Sequence, residues 1–419
     1  MANLLAGVRV IESAQLFTGD FAGQLLADEG ADVVKFESPF RGDYLRDFLG
    51  QMKPHTRGHS PLHMILNRNK RSAAVDLRTD AGKAVFWRCL EQTDVFLDGN
   101  TTGAMDALGI GYEAQRKVKP DIIYAHVTGL GATGPYARVP THGQSMKAVA
   151  GGNPTRRTDD GYVESGNDYS NNIATVNEVV SGPLYLAFGI ASALWRRATT
   201  GQGAFIDVAS SDAGLSAGWM SVVNQLNSER IGRDETGMAS ASTGGSNSKY
   251  NLYETKDGRV MLVALIEHHF YEKFCRAIGR EDLLADDVGY ISKAVAIDWG
   301  PPSLRPILRD VMKSRTCDEW MALAAEHDFV VAPVNSVHDL RRDAHLVYRE
   351  AIVETVHPSA GPVTMTGNPI KVAGEHYEVR HHAPALGEQT DDYLLGNGFS
   401  AAEVSDLRAA GVLGGPPKN

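Results

Sequence analysis

The chain has 419 residues, of which 43% are hydrophobic and 22% charged, and its formal net charge at pH 7 is −10. This length predicts two or three domains with a large core, and the composition is typical of a soluble globular protein. A nucleic-acid-binding surface needs a basic face, so the acidic balance argues against that class. Any anionic ligand would have to be bound by local clusters of Lys and Arg.

The number and spacing of the cysteines, and the lengths of the apolar stretches, indicate the cellular compartment in which the protein is expected. Cys89, Cys275 and Cys317 are far apart, so the sequence predicts neither a disulfide framework nor a zinc site. We expect three reduced thiols in a cytoplasmic protein. The first residues lack the basic segment and apolar run of a signal peptide, and no apolar stretch approaches the about 18 residues that a membrane span requires.

The first 130 residues alternate between patterns typical of strands and of helices. Strands are predicted at residues 8–12, 31–37, 94–97 and 121–127, and helices at 21–29 and 80–92. Short apolar runs separated by helices favour βαβ units. The predicted fold class is therefore α/β, with a doubly wound parallel sheet, helices on both faces and right-handed crossovers.

The segment 131–182 is rich in Gly, Thr, Asn and Asp. A loop region of this length is more often functional than incidental. It leads into a predicted helix with Ser181 as its N-cap, Pro183 in its first turn and a periodic apolar face over 184–197.

The second half of the chain shows a change of pattern. Small polar residues at 239–248 predict a flexible loop and a domain connection. Residues 250–264 are typical of a hairpin, 270–326 are rich in helical patterns, and Ser400 with Glu403 predicts a capping box.

Two nucleotide-binding motifs and a metal motif are missing from the sequence. No GxGxxG follows the first strand and there is no GxxxxGK[ST] loop, which argues against dinucleotide binding and P-loop hydrolysis. The His pairs at 268–269 and 381–382 lack the HExxH spacing, so no metal site is predicted.

Positive charge is concentrated in one part of the chain, at Arg41, Arg46, Arg68, Lys70 and Arg71. One interpretation is a solvated face beside the second strand. The other is a clamp for a ligand with several phosphates, because guanidinium forks match phosphate oxygens.

Ten short motifs follow one another along nearly the whole chain. They are 23–37 (GQLLADEGADVVKFE), 41–43 (RGD), 67–72 (NRNKRS), 129–131 (GLG), 134–136 (GPY), 193–196 (ALWR), 200–203 (TGQG), 253–258 (YETKDG), 332–334 (APV) and 383–391 (APALGEQTD). In this order they resemble the family III coenzyme A (CoA) transferases of CaiB/BaiF type, which include formyl-CoA transferase and α-methylacyl-CoA racemase relatives.

The resemblance implies an architecture and a set of partners. It implies a large Rossmann-like domain built from both chain ends (1–220 and 331–419), a smaller α+β domain (221–330) and an interlocked homodimer. Acyl-CoA and a carboxylic acid would be substrates, with no tightly bound cofactor, no metal, no nucleic acid and no membrane. A pairing with an unlike chain remains open.

The resemblance also implies a CoA site and a lid. The CoA-site residues that the resemblance implies are Phe17, Thr18, Asn69, Lys70, Arg71, Ser72 and Asn100. Arg41 and Arg68 are added to them from the basic cluster. Gly244 and Gly245 resemble the mobile glycine loop that shields the reactive carboxylate in the transferases, although a plain linker is equally consistent with them.

The catalytic carboxylate of the transferases is an Asp just ahead of the helix that matches residues 183–197 here, and the position that matches it is Glu178. A carboxylate nucleophile divides acyl transfer into easier steps, and a helix N-terminus favours it electrostatically. Glu adds one methylene, and about 1 Å of misplacement can lower a rate about a hundredfold. Either the pocket is rebuilt for the longer side chain, or this chain performs another reaction.

Two alternatives to CoA transfer follow from the resemblance. In the racemases, a His matching His142 and an Asp matching Glu178 move the α-proton, and an acidic residue matching Glu267 supports the His. His suits proton transfer near neutral pH. Otherwise Glu178 marks a non-catalytic partner subunit. CoA transfer from an acyl-CoA to a free carboxylic acid is the main prediction.

Overall fold

The structure is a computed structural model that describes residues 3–47, 59–153, 155–165, 177–227, 229–230, 247–285 and 297–416. The chain divides into two compact units. The large unit comprises residues 1–225 and 348–419, and the small unit comprises residues 226–347.

The first part of the large unit alternates strands and helices. In chain order these are β1 (Arg9–Ser13), α1 (Thr18–Asp28), β2 (Asp32–Glu37), α2 (Pro61–Leu66), β3 (Arg71–Ala74), α3 (Asp80–Leu90), β4 (Val95–Asp98), α4 (Ala104–Ala107), α5 (Tyr112–Val118), β5 (Ile123–Thr128), α6 (Gly143–Val149), β6 (Thr155–Arg157), β7 (Val163–Ser165), α7 (Asn177–Thr200), β8 (Ala204–Ala209), α8 (Ser210–Ala217) and α9 (Trp219–Leu226).

The small unit and the returning chain follow. Their elements are β9 (Tyr250–Glu254), β10 (Val260–Ala264), α10 (His268–Ala277), α11 (Leu304–Met312), α12 (Cys317–His327), β11 (Val331–Pro333), α13 (Ala344–Tyr348), β12 (Ile352–His357), β13 (Gly361–Thr366), α14 (Thr390–Gly396) and α15 (Ala401–Ala409). Short 3-10 helices occur at Tyr44–Asp47 and Glu281–Leu284.

Within the described residues, the main sheet has six parallel strands in the order β3-β2-β1-β4-β5-β8. Val10 of β1 pairs with Val33 on one side and Val95 on the other. The predicted α/β class with a parallel sheet is confirmed. The strand order reverses between β1 and β4, and in such sheets ligands bind beyond the carboxyl ends of the strands at this point.

Helices cover both faces of this sheet, which explains its nearly continuous apolar strands. One core contains Phe86 of α3, Phe96 of β4 and Leu394 of α14. The other packs Leu26 of α1 and Leu186 of α7 against the opposite face. The C-terminal segment joins the first core, because the Asp76 and Gly414 amides donate to the Val412 and Ala74 carbonyls.

The small unit contains a three-stranded antiparallel sheet in the order β11-β10-β9, as far as the chain is described. The predicted hairpin corresponds to β9 and β10, and helices pack Phe274 and Trp320 against it. Ala332 of β11 pairs with Leu262 of β10. This pairing places residues 331–333 in the small unit, which continues to residue 347 rather than ending at the predicted boundary of 330.

Helix α7 begins at Asn177, four residues before the predicted N-cap, and Pro183 lies inside it. The Ser181 hydroxyl is buried without a hydrogen-bond partner among the described residues, so it caps nothing. Over Glu178–Thr200 the helix is long and apolar enough to cross a membrane, contrary to the expectation from sequence. A core helix passes the same test, and Ile190 and Ala193 are buried against the sheet.

Candidate active site

A cavity of about 670 Å³ lies beyond the carboxyl ends of β1, β4 and β5. The loops after these three strands line it, and the chain before and at the start of α6 completes the lining together with Val179 of α7. The cavity is therefore at the switch point of the sheet, where the fold favours ligand binding.

A second cavity, of about 290 Å³, lies beyond the ends of β2 and β3. Gln15 and Asn100 line both cavities, which are therefore neighbours. Arg78 lines the second cavity with a largely exposed guanidinium, 5.4 Å from the centre of the Phe40 ring, and pairs with Asp76 at 2.8 Å. Arg78 was not predicted as a site residue, and the strand that it follows, β3, was not predicted either.

Glu178 lies in the first turn of α7 and is only 6% exposed. Its Oε2 has no hydrogen-bond partner among the described residues, and the same holds for the hydroxyls of Ser181, one turn later, and Ser210, at the start of α8. Buried polar atoms without partners are rare and call for an explanation. Val179, the next residue of the helix, lines the larger cavity, whereas the Glu178 side chain packs against Gly214 of α8 and is not among the described lining residues.

The N-terminus of α7 packs closely on α8 because two glycines leave room. A Cβ added at Gly214 would lie 2.5 Å from Cγ and 3.0 Å from Oε1 of Glu178. A Cβ added at Gly182 would collide with the Ser210 hydroxyl. The longer side chain of Glu178 is therefore accommodated where residue 214 has no side chain.

The other two predicted catalytic residues are in different units. His142 is the exposed N-cap residue of α6 and lines the larger cavity, and its backbone N–H donates to Ser145 Oγ at 3.4 Å. Glu267 is the N-cap residue of α10 in the small unit. Gly244 and Gly245, the predicted lid, lie outside the described residues.

Three of the residues predicted to bind CoA line the larger cavity: Phe17, Thr18 and Asn100. The Asn100 amide group donates to the Ser13 carbonyl at 2.7 Å, which fixes the loop after β4 to the end of β1. Arg41 is exposed, with its guanidinium 3.7 Å from the centre of the Tyr44 ring.

The basic cluster is engaged inside the fold rather than at the cavity. Buried Arg68 pairs with Asp28 at 2.7 Å, and buried Lys70 pairs with Glu12 at the same distance. Asn69 donates to Asp28 at 2.7 Å and accepts from the Arg380 amide. Their charges and hydrogen-bonding groups are used by these partners, so Arg68 and Lys70 form neither a solvated face nor a phosphate clamp.

The remaining members of the cluster have partners of their own. Arg71 begins β3 at the amino-terminal edge of the sheet, away from these two cavities, and pairs with Asp32 at 2.5 Å. Ser72 donates to Glu37 at 2.5 Å, and Arg46 forms a fork on the same carboxylate. A sequence shows the clustered cations but not the carboxylates that fold against them.

Leu16 has a positive φ of 64° and lines the larger cavity. Its N–H donates to Asp43 at 3.2 Å. A non-glycine residue in this region carries strain, and such strain is concentrated at functional sites. The sequence contains no pattern that predicts this strained backbone conformation at Leu16.

These features define an α/β protein with a ligand site at the carboxyl ends of its parallel strands and a buried carboxylate in the first turn of α7, whose Val179 lines that site. The family model for CoA-transferase family III matches residues 5–390. The chain belongs to this family.

Named relatives match over almost the full length. The formyl-CoA:oxalate CoA-transferase of Afipia carboxidovorans is 29% identical, over 100% of this chain and 99% of that protein. The succinyl-CoA–L-malate CoA-transferase beta subunit of Chloroflexus aurantiacus is 28% identical, over 98% of each. The crystal structure of a CAIB/BAIF family protein from Brucella suis shares the fold, with a TM-score of 0.70, 24% identity, and coverage of 95% of this chain and 100% of that one.

Proposed function

We propose that this protein moves CoA from an acyl-CoA thioester to a free carboxylic acid, with Glu178 as the nucleophile. The observation that carries the proposal is the buried carboxylate oxygen without a partner among the described residues in the first turn of α7, where the next residue, Val179, lines the larger cavity. The amides of a helix N-terminus favour negative charge on carboxylates and oxyanions. The two relatives named above are CoA-transferases by name.

The proposed reaction proceeds through covalent intermediates on one carboxylate. A Glu178 oxygen attacks the donor thioester carbonyl, the C–S bond breaks, and a mixed anhydride and CoA thiolate form. The thiolate attacks the Glu178 carbonyl, releasing the donor acid and leaving a glutamyl-CoA thioester. The acceptor carboxylate attacks this thioester to give a second anhydride, and the thiolate then takes the acceptor acyl group and frees Glu178.

The two adjacent cavities suggest how CoA lies. The pantetheine arm would occupy the larger cavity, past Phe17 and Asn100. The phosphates would extend toward Arg78, whose guanidinium is largely exposed although two of its nitrogens, Nε and Nη2, donate to Asp76. Arg78 thus takes the role that the sequence assigned to the basic cluster.

The lining of the larger cavity favours an uncharged acyl group. Among the described lining residues none is Lys, Arg, Asp or Glu, and Leu130, Val139, Met146 and Val179 are apolar. A second carboxylate, as in the oxalate or malate named for the two relatives, would be buried there without a counter-charge, which is unfavourable. We therefore assign a monocarboxylic acyl group.

A homodimer is proposed from the surface of α7. Leu184, Phe188 and Trp195 lie on one side of this helix and are 48%, 72% and 74% exposed. Trp219 and Val223 of α9 are also exposed. Large apolar side chains exposed along one side of a helix in this way mark an interface.

A second candidate is epimerisation at the α-carbon of an acyl-CoA, favoured by the place of His142 in the lining of the same cavity. His142 and Glu178 would then exchange one α-proton as base and acid. A third candidate, a partner subunit without chemistry of its own, has its parallel in the relative named as a beta subunit.

One experiment separates the three. The protein is incubated in deuterated water with a panel of short-chain acyl-CoAs, with and without free acids, and products are followed by mass spectrometry. CoA appearing on the added acid supports transfer. Exchange of the α-hydrogen without an acceptor supports epimerisation, and CoA binding without either product supports the partner subunit.

A further inference from the structure

Three polar side chains form a row across neighbouring strands just behind the larger cavity. Asp98 of β4 pairs in register with His126 of β5, which pairs with Asp207 of β8. The row is at the carboxyl edge of the sheet, because Asp98 ends its strand and Gly99, Asn100, Val127 and Thr128 line the cavity. His126 is only 3% exposed.

His126 lies between two carboxylates. Its Nε2 is 3.8 Å from Asp98 Oδ2 and 3.3 Å from the Asn100 carbonyl oxygen, and its Nδ1 is 3.6 Å from Asp207 Oδ1. Phe205 stacks on the ring at 6.4 Å. A buried imidazolium beside two carboxylates is favoured electrostatically over a neutral ring.

Each carboxylate in turn holds one loop of the cavity. Asp98 Oδ1 accepts from the backbone N–H and the side-chain amide of Asn100, at 3.0 and 2.9 Å. Asp207 accepts from the Ala132 N–H at 3.0 and 2.9 Å. These bonds fix the loop after β4 and the loop after β5, both of which line the cavity.

We propose that His126 is a positioning residue for the CoA site, which by its charge between Asp98 and Asp207, at 3.8 and 3.6 Å, couples the loop at 99–102 to the loop at 129–132. The CoA ligand in this statement rests on the proposed function. The coupling of the two loops is a property of the fold and can be measured without any ligand. Nothing in the transfer chemistry uses His126 directly.

The protonation of His126 gives this coupling a pH dependence. Burial would lower the pKa of His126, but Asp207, Asp98 and the Asn100 carbonyl outweigh it and raise the pKa. The other titratable groups around it are Tyr124, which donates to Asp98 Oδ2 at 2.6 Å, and Asp106, which acts on Tyr124. Burial raises the pKa of Tyr124, so Tyr124 remains neutral and His126 changes charge first.

Proton linkage determines whether the two loops are held together more strongly at low or at high pH. A group whose pKa is raised by folding contributes stability below its unfolded pKa, and this contribution disappears as the pH rises through its folded pKa. The two loops are therefore held together at lower pH and released from one another above the folded pKa of His126.

The test measures amide hydrogen exchange of Asn100 and Ala132 by NMR across the alkaline range, corrected for the intrinsic pH dependence. In the wild type both protection factors should fall together, by about tenfold, with the midpoint of the His126 titration. In H126Q, which cannot become positively charged, protection should be low at every pH. H338N, at an exposed histidine of the small unit, is the control and should follow the wild type.

Binding of free CoA is measured on the same samples by calorimetry. The wild type and H338N should lose affinity about tenfold through the same midpoint, and H126Q should be weak throughout. The coupling of the two loops is wrong if protection is unchanged through the midpoint of the His126 titration, or if it falls at only one of the two amides. The wild-type measurements decide this even when H126Q does not fold. If protection is lost while CoA affinity stays unchanged, His126 does not position the CoA site. If the wild type binds no CoA at all, the proposed function is contradicted, and the hydrogen-exchange result alone decides whether the two loops are coupled.

Discussion

The side chain of Glu178 fills the space beside Gly214, where an added Cβ would lie 2.5 Å from the Glu178 Cγ. Gly214 has an ordinary helical backbone, so it is the space rather than the backbone conformation that requires glycine. An Asp at position 178 would leave part of this space empty. The extra methylene is thus matched by a missing side chain on the facing helix.

The first prediction concerns this pair. G214A should displace the Glu178 carboxylate and lower kcat about a hundredfold, because a shift of about 1 Å misaligns a nucleophile. G396A is the matched control, since Gly396 also lies in a helix but nothing lies within 4 Å of its added Cβ. Steady-state kinetics of CoA transfer measure both variants.

The double variant E178D/G214A sharpens this test. The shorter side chain relieves the collision, so the double variant should be more active than G214A alone, a coupling that additive effects cannot produce. Full activity of G214A would show that the carboxylate does not need its present position.

The second prediction separates chemistry from stability. E178Q removes the nucleophile and should abolish transfer while CoA binding is retained. The free energy of unfolding should be unchanged or higher by about 1 kcal/mol, because a buried carboxylate oxygen without a partner is unfavourable. Urea unfolding measures it, with E354Q, an exposed glutamate of β12, as control. A large loss of stability would assign Glu178 a structural role.

The third prediction tests whether Arg78, proposed from the structure, or Arg71, implied by the family resemblance, binds the phosphates of CoA. R78A should weaken CoA binding about tenfold and leave pantetheine binding unchanged, because Arg78 would contact only phosphates. R71A should leave both unchanged, since Arg71 is at the opposite edge of the sheet. Calorimetry with the two ligands measures this, and a loss of CoA affinity in R71A but not in R78A would restore the assignment made from sequence.

Sequence reasoning succeeded where local patterns decide the outcome. The strands around β1, β2, β4 and β5, the hairpin of β9 and β10, and the capping box at Ser400 and Glu403 follow from periodicity and capping chemistry. The start of α7 was misplaced because Ser181-Gly182-Pro183 imitates a helix start, whereas packing on α8 extends the helix backwards.

The candidate site was only partly predictable for a different reason. Phe17, Asn100 and His142 came from the resemblance and line one cavity; the position of Glu178 also came from it, one residue before the lining residue Val179. The partners of Arg68 and Lys70 are carboxylates that are distant in sequence, and Gly214, which packs against Glu178, is distant from it in the same way. Such tertiary contacts have no short-range signal.

The fourth prediction is a pH dependence of stability. Burial lowers the pKa of His63 to about 3, with Arg46 adding to the effect. The unfolded chain therefore binds this proton first as the pH falls below about 6.5, and stability is lost down to about pH 3. Between pH 7 and 5.5 His63 should account for about 1 kcal/mol, measured as the difference in urea unfolding between the wild type and H63Q. An equal pH dependence in both proteins would contradict it.

The most direct measurement of the central claim is chemical trapping on position 178. The protein is incubated with an acyl-CoA alone, treated with hydroxylamine, digested and sequenced by mass spectrometry. A hydroxamate on Glu178, lost in E178Q, is the predicted result. A hydroxamate on another residue, or none while CoA still moves to an added acid, would contradict Glu178 as the nucleophile.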